Sequence, residues 1–80
     1  MKKVGKVTHY YGKIDVAILK LTTSLKVGDR IKFKGHGADF EQDVSSMQIN
    51  HESVEKAKKG DDVGLRVSEP VKEGTDVSLV

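Results

Sequence analysis

An all-β fold is expected of these 80 residues, in the form of a small, six-stranded, closed β-barrel with one short helical turn. Three observations predict it. The stretch Leu25-Lys26-Val27-Gly28-Asp29-Arg30-Ile31 recurs more loosely as Val71-Lys72-Glu73-Gly74-Thr75-Asp76-Val77. In each copy Gly supplies a positive φ, Asp or Thr can hydrogen-bond the turn backbone, and a β-branched residue opens the next strand. Val outnumbers Leu 11 to 5, which favours pleated strands. Apolar runs return roughly every 10–13 residues, the spacing of a closed all-β unit. A chain this short makes one domain, residues 1–80, with a compact core.

The elements follow in order. Val4 to Tyr11 is the first strand, ended by Gly12-Lys13. Ile14 to Leu21 is the second, apolar on both faces, as a central or strongly curved strand would be. Thr22-Thr23-Ser24 precedes the first Gly-Asp turn, and Arg30 to Lys34 then alternates, with Ile31 and Phe33 on one face. Gly35 to Asp39 is a loop. Phe40 to Asn50 is a long strand whose phase slips, which places a bulge at Ser45-Ser46. A helical turn is expected near residues 52–58, capped by Ser53 and closed by Gly60. Val63 to Val67 is the fifth strand, Pro70 interrupts, and Thr75 to Val80 is the sixth.

Several chemistries lack their residues. With no cysteine, disulfides, thiolate metal sites and a Cys nucleophile are excluded. No phosphate-cradling Gly-rich loop and no Gly-x-Ser-x-Gly elbow is present, so neither nucleotide binding nor catalysis is expected. His9, His36 and His51 lie far apart, and no metal or other cofactor is expected; Asp61-Asp62 reads as a turn rather than an acid–base pair. Met1-Lys2-Lys3 leads into no apolar run, and nothing reaches the length of a membrane span. A cytoplasmic protein is the expectation.

Charge divides unevenly. Residues 1–34 carry +7 and residues 35–80 carry −5. Either the basic half forms a face for an anionic partner, or interleaved strands cancel the imbalance in space. Arg30, Lys32 and Lys34 are the best candidate surface, three cations ~6–7 Å apart along one strand face, close to phosphate spacing. Tyr10 and Tyr11 could add base stacking. The competing reading is that strand lysines only block edge aggregation and that the tyrosines belong to the core.

Leu25 to Ile31, Val44-Ser45-Ser46-Met47-Gln48-Ile49 and Ala57-Lys58-Lys59-Gly60-Asp61-Asp62-Val63-Gly64-Leu65 together resemble domain 2 of the elongation factor Tu class of translation GTPases. Taken from Val4 to the end, the pattern is closer to the small free-standing elongation-factor-like proteins of prokaryotes. It is also similar to the barrel appended to some collagenase-type peptidases. The resemblance implies a translation-factor β-barrel without a GTPase domain. In that family a pocket holds the aminoacylated end of tRNA. Its histidine position matches Asn50 and its asparagine position Asp62, with the threonine near Ile18 and the aromatic near His9 or Tyr10. The implied function is a non-catalytic module that binds RNA, tRNA or the ribosome. The alternative is a protein–protein docking module.

Overall fold

Ile31 and Phe33 are wholly buried between exposed Arg30, half-buried Lys32 and exposed Lys34, so the alternation read in this stretch is the alternation of a real strand. The same two-residue rhythm shapes most of the chain. The structure, a computed structural model, describes residues 2–80. Among these, ten strands and no helix occur: β1 (Lys2–Tyr11), β2 (Val16–Leu21), β3 (Leu25–Lys26), β4 (Arg30–Gly35), β5 (Ala38–Asp43), β6 (Met47–Ile49), β7 (Glu52–Val54), β8 (Lys56–Ala57), β9 (Asp62–Arg66) and β10 (Asp76–Leu79). Eight form one antiparallel sheet in the order β5-β4-β10-β1-β2-β9-β6-β7, and β3 pairs with β8 in a separate ladder.

This corrects the expected six-stranded closed barrel. β5 and β7 are the two free edges of an open sheet. The sheet curls around one apolar cluster, to which Val4, Leu19, Leu25, Phe33, Met47, Val63 and Val77 contribute from seven different strands. The rings of Phe33, within it, and half-buried Phe40, packed against it, are directly opposite on β4 and β5 and stack at 4.9 Å.

Two tight hairpins fold strands back on themselves, and the short β3–β8 ladder adds two strands more. His36 (φ 51°) and Gly37 (φ 91°) close β4 onto β5, and Asn50 (φ 51°) and His51 (φ 64°) close β6 onto β7. Two residues with positive φ twist the backbone in the sense a two-residue hairpin needs. The turn at Asn50-His51 removes the expected helix. It sends the chain back beside β6, so Ser53 pairs with Gln48 instead of capping a helix. The Glu and Lys content of residues 52–59 favours helix only weakly, and strand pairing overrides it. The expected long strand from Phe40 to Asn50 is likewise divided into β5 and β6, which lie far apart in the sheet. The bulges fall in β1 instead, between Lys3 and Gly5 and between Val7 and His9.

The repeated turn occurs three times, not two. At Gly28, the glycine amide donates to the carbonyl of Val44 (2.9 Å), and the Val44 amide donates to Asp29 (2.8 Å). Gly60 and Asp61 hold Leu21 in the same way (2.9 and 3.0 Å), and Gly74 and Thr75 hold Val7 (2.7 and 2.9 Å). Each turn clasps a residue of the apolar core by its backbone. The carboxylates of Asp29 and Asp61 accept from the amides of Lys26 and Lys58, whereas the buried Thr75 hydroxyl donates to the Lys72 carbonyl.

Candidate functional site

Arg30, Lys32 and Lys34 share the outer face of β4, as alternation requires. Arg30 and Lys32 are ion-paired, and all three face acids. β5 lays Asp43, Glu41 and Asp39 directly opposite them. Arg30 Nε lies 3.2 Å from Glu41 and its Nη1 lies 3.0 Å from Asp43, while Lys32 Nζ lies 3.5 Å from Asp39. The two acids raise the Arg30 pKa, Asp43 first and Glu41 second, so its charge is held by its neighbours. The signal was in the sequence: Asp39, Glu41 and Asp43 alternate with the same period as the cations, behind a His-Gly turn.

The cancellation extends across the sheet. Asp39, Lys34, Asp76, Lys6, Lys20 and Asp62 form one cross-strand row from β5 to β9, with no net charge. Lys3 reaches Asp76 at 3.1 Å and Lys20 reaches Asp62 at 3.9 Å. The Lys3 ammonium, aided by Lys6 and His36, holds the Asp76 carboxyl below its ordinary 3.8.

The tyrosines stand apart from this stripe. The row through β4 continues across β10 to Lys2–Lys6, whereas Tyr10 and Tyr11 lie farther along β1, opposite Ala17 and Val16. The half-buried Tyr10 donates its hydroxyl to Asp15 (3.3 Å), and desolvation followed by the Asp15 carboxylate raises its pKa. Tyr11 is exposed, its ring tilted against His9 with centroids 4.4 Å apart. Asn50 is a turn residue with positive φ, and Asp62 faces Lys20. Asp61 accepts from the Lys58 amide while Asp62 faces Lys20, so the two form no carboxylate pair. The three histidines sit on β1 and on two different hairpin turns, and no group of metal-ligating side chains forms among the described residues.

Two surfaces remain that carry more than solvation. The first is the outer face of β2. Ala17, Leu19 and Leu21 fill the core, and Val16 and Ile18 emerge on the other side, half-buried. Gly64 lies opposite Ile18, and a Cβ there would meet both Ile18 and Val16 at 3.5 Å, so the two side chains lean over the glycine. Ile14, 59% exposed, extends the patch, and Lys13, Ser46, Gln48 and Arg66 rim a depression of about 460 Å³. Apolar residues on both faces of this strand predict a central or strongly curved strand, and β2 does lie inside the sheet between β1 and β9; the surface patch is not apparent from the sequence.

The second is a cleft of about 620 Å³ over the β3–β8 ladder. Leu25, Ala57 and Leu79 form its floor, and Lys26, Lys56 and Lys58 stand at its rim with Asp29, Asp61 and Ser24. Two of the three clasps, those of Gly28 and Gly60, bracket it. The third copy of the turn motif, Ala57 to Val63, is the signal that could have found it.

No family model matches the chain. A curated relative, an uncharacterized protease of Methanocaldococcus jannaschii, is 43% identical over 79 residues, covering 98% of this chain and 19% of the relative. The chain thus spans about a fifth of the length of that protein. Two crystal structures of the C-terminal domain of a protein described as a U32 peptidase, from Geobacillus thermoleovorans, share its fold. They have TM-scores of 0.93 and 0.92 at 17% identity and cover 98% and 99% of this chain and 99% and 92% of theirs. These findings overturn the elongation-factor reading and, with it, the translation module bound to RNA, tRNA or the ribosome. The expectation that the chain is not an enzyme is overturned too, because its relative and structural neighbours carry peptidase names. Among the described residues no helix is long and apolar enough to cross a membrane.

Proposed function

We propose that this chain serves a U32-type peptidase as its C-terminal β-domain, docking on the rest of that protein through the outer face of β2 and β9. One observation carries the reading: 43% identity runs along nearly the whole chain yet occupies only 19% of the protease. In that relative, about four-fifths of the polypeptide lies outside the equivalent of this module, and that polypeptide is the occupant the patch is built for. Ile14, Val16 and Ile18 around Gly64 supply an apolar centre, and Lys13, Gln48 and Arg66 supply the polar rim typical of such interfaces. The system's reaction is hydrolysis of peptide bonds, and the module's contribution is to position polypeptide for it. A reducing, cytoplasmic setting goes with a chain that has no cysteine.

The test is calorimetric titration of this chain into the Methanocaldococcus protein from which the matched region has been deleted. Saturable binding in the micromolar range, lost with Ile18→Asp and kept with Arg30→Ser, supports docking at this face. No heat of binding at any concentration, or loss with Arg30→Ser alone, overturns it.

A further inference from the structure

On β4, Arg30, Lys32 and Lys34 each face an acid of β5; in the β3–β8 ladder, Lys26 faces Lys56. Like charges placed directly opposite destabilise a strand pair. Lys26, Lys56 and Lys58 form no ion pair among the described residues. The two carboxylates of the cleft are engaged by backbone, each accepting an amide of its own turn, Asp29 from Lys26 at 3.0 Å and Asp61 from Lys58 at 2.9 Å. Three ammonium groups outside any ion pair, set against two carboxylates already engaged by backbone, therefore leave the cleft with its apolar floor of Leu25, Ala57 and Leu79 net positive.

We propose that this cleft binds an extended acidic segment of polypeptide, with its carboxylates on the lysines and its apolar side chains on the floor. Lys56 and Lys58 flank the buried Ala57 and so share one face, ~6–7 Å apart. Acids at alternate positions of an extended peptide have that same spacing, and the residues between them point the other way, toward the floor. A nucleic acid fits less well: single strands bind by stacking bases on aromatic rings, and no aromatic side chain lines the cleft. The two clasping turns fix both lysine-bearing strands by backbone bonds to Val44 and Leu21, so the site is built before its ligand arrives. The inference stands on the cleft alone and does not require docking through the outer face of β2.

Fluorescence anisotropy with a labelled twelve-residue peptide of alternating Glu and Leu, at low and moderate salt, tests it. Lys56→Glu and Lys72→Glu change the net charge equally, but only Lys56 lies in the cleft. The expected result is saturable binding that weakens with salt, falls at least tenfold with Lys56→Glu and changes less than twofold with Lys72→Glu. Thermal melts should show both variants folded, since both side chains are exposed. Absence of binding by the unaltered protein overturns the proposal. So does an equal loss in both variants, which would mean bulk charge alone. A labelled oligonucleotide that binds more tightly than the peptide and depends on Lys56 would assign the cleft to nucleic acid instead. Neither outcome affects the titration with the deleted protease, so the two readings fail separately.

Discussion

The amide of Leu21 donates to the carbonyl of Asp61 at 3.0 Å, and the amide of Gly60 returns the bond to Leu21 at 2.9 Å. This reciprocal pair ties a turn to the end of a core strand. Its two counterparts, at Val44 and Val7, make it the recurring fastening of the fold. It works only if the glycine holds a φ near +90°, and the three glycines lie at 100°, 91° and 90°.

Substituting these glycines should therefore separate conformational strain from crowding. Gly28→Ala and Gly60→Ala meet no atom within 4 Å, so each should cost about 1 kcal/mol from φ alone. Gly74→Ala should cost more, because its Cβ would also meet His36 Nε2 at 2.9 Å. Gly5→Ala carries no φ strain but would press on the Lys20 carbonyl oxygen at 2.6 Å, a cost of about 2–3 kcal/mol. Urea melts should rank the four variants in that order; a silent Gly60→Ala would contradict the clasp.

Much of this was legible in the sequence, and the failures have physical causes. The turns at Gly28 and Gly74 and the alternation of Ile31 and Phe33 are local, and local chemistry decides them. The helix expected near residues 52–58 failed because positive φ at the non-glycine residues Asn50 and His51 makes a hairpin whose partner strand the sequence does not display. The basic stripe lost its free charge to Asp39, Glu41 and Asp43, which are near in sequence but become opposite only through register. Of the two readings of the charge imbalance, interleaving describes the sheet, where basic β4 lies between acid-bearing β5 and β10, and the adjacent pair β1 and β2 lies between β10 and β9. The elongation-factor and peptidase resemblances rested on the same turn motifs, which report the shared architecture and cannot rank one family above the other.

The interleaved row gives a second expectation. Lys34 lies between Asp39 and Asp76. Lys34→Ser should leave the melting temperature nearly unchanged, since exposed pairs contribute little. Lys34→Glu would set three acids abreast and should cost about 0.5–1 kcal/mol, diminishing as salt is added. Equal melting temperatures for the two variants would place Lys34 outside the row.

Asp76 supplies the pH dependence. Lys3, with smaller help from Lys6 and His36, lowers its folded pKa below the ordinary 3.8. The folded state thus favours the ionised form, and the resulting stability is present above pH 3.8 and lost as pH falls through the lowered value. Asp76→Asn should melt below the unaltered protein at pH 7, with the gap closing in acid. The dependence is modest and shrinks with salt, because both partners are about half exposed. A gap that widens in acid would contradict the assignment.

The proposed docking face is tested most directly by two-dimensional amide NMR of the labelled chain during titration with the protease lacking the matched region. The account expects shifts and broadening concentrated at Ile14, Val16, Ile18, Gln48 and Gly64, with Arg30 to Lys34 unmoved. Perturbations centred on Arg30, Lys32 and Lys34, or none anywhere at saturating partner, would contradict it.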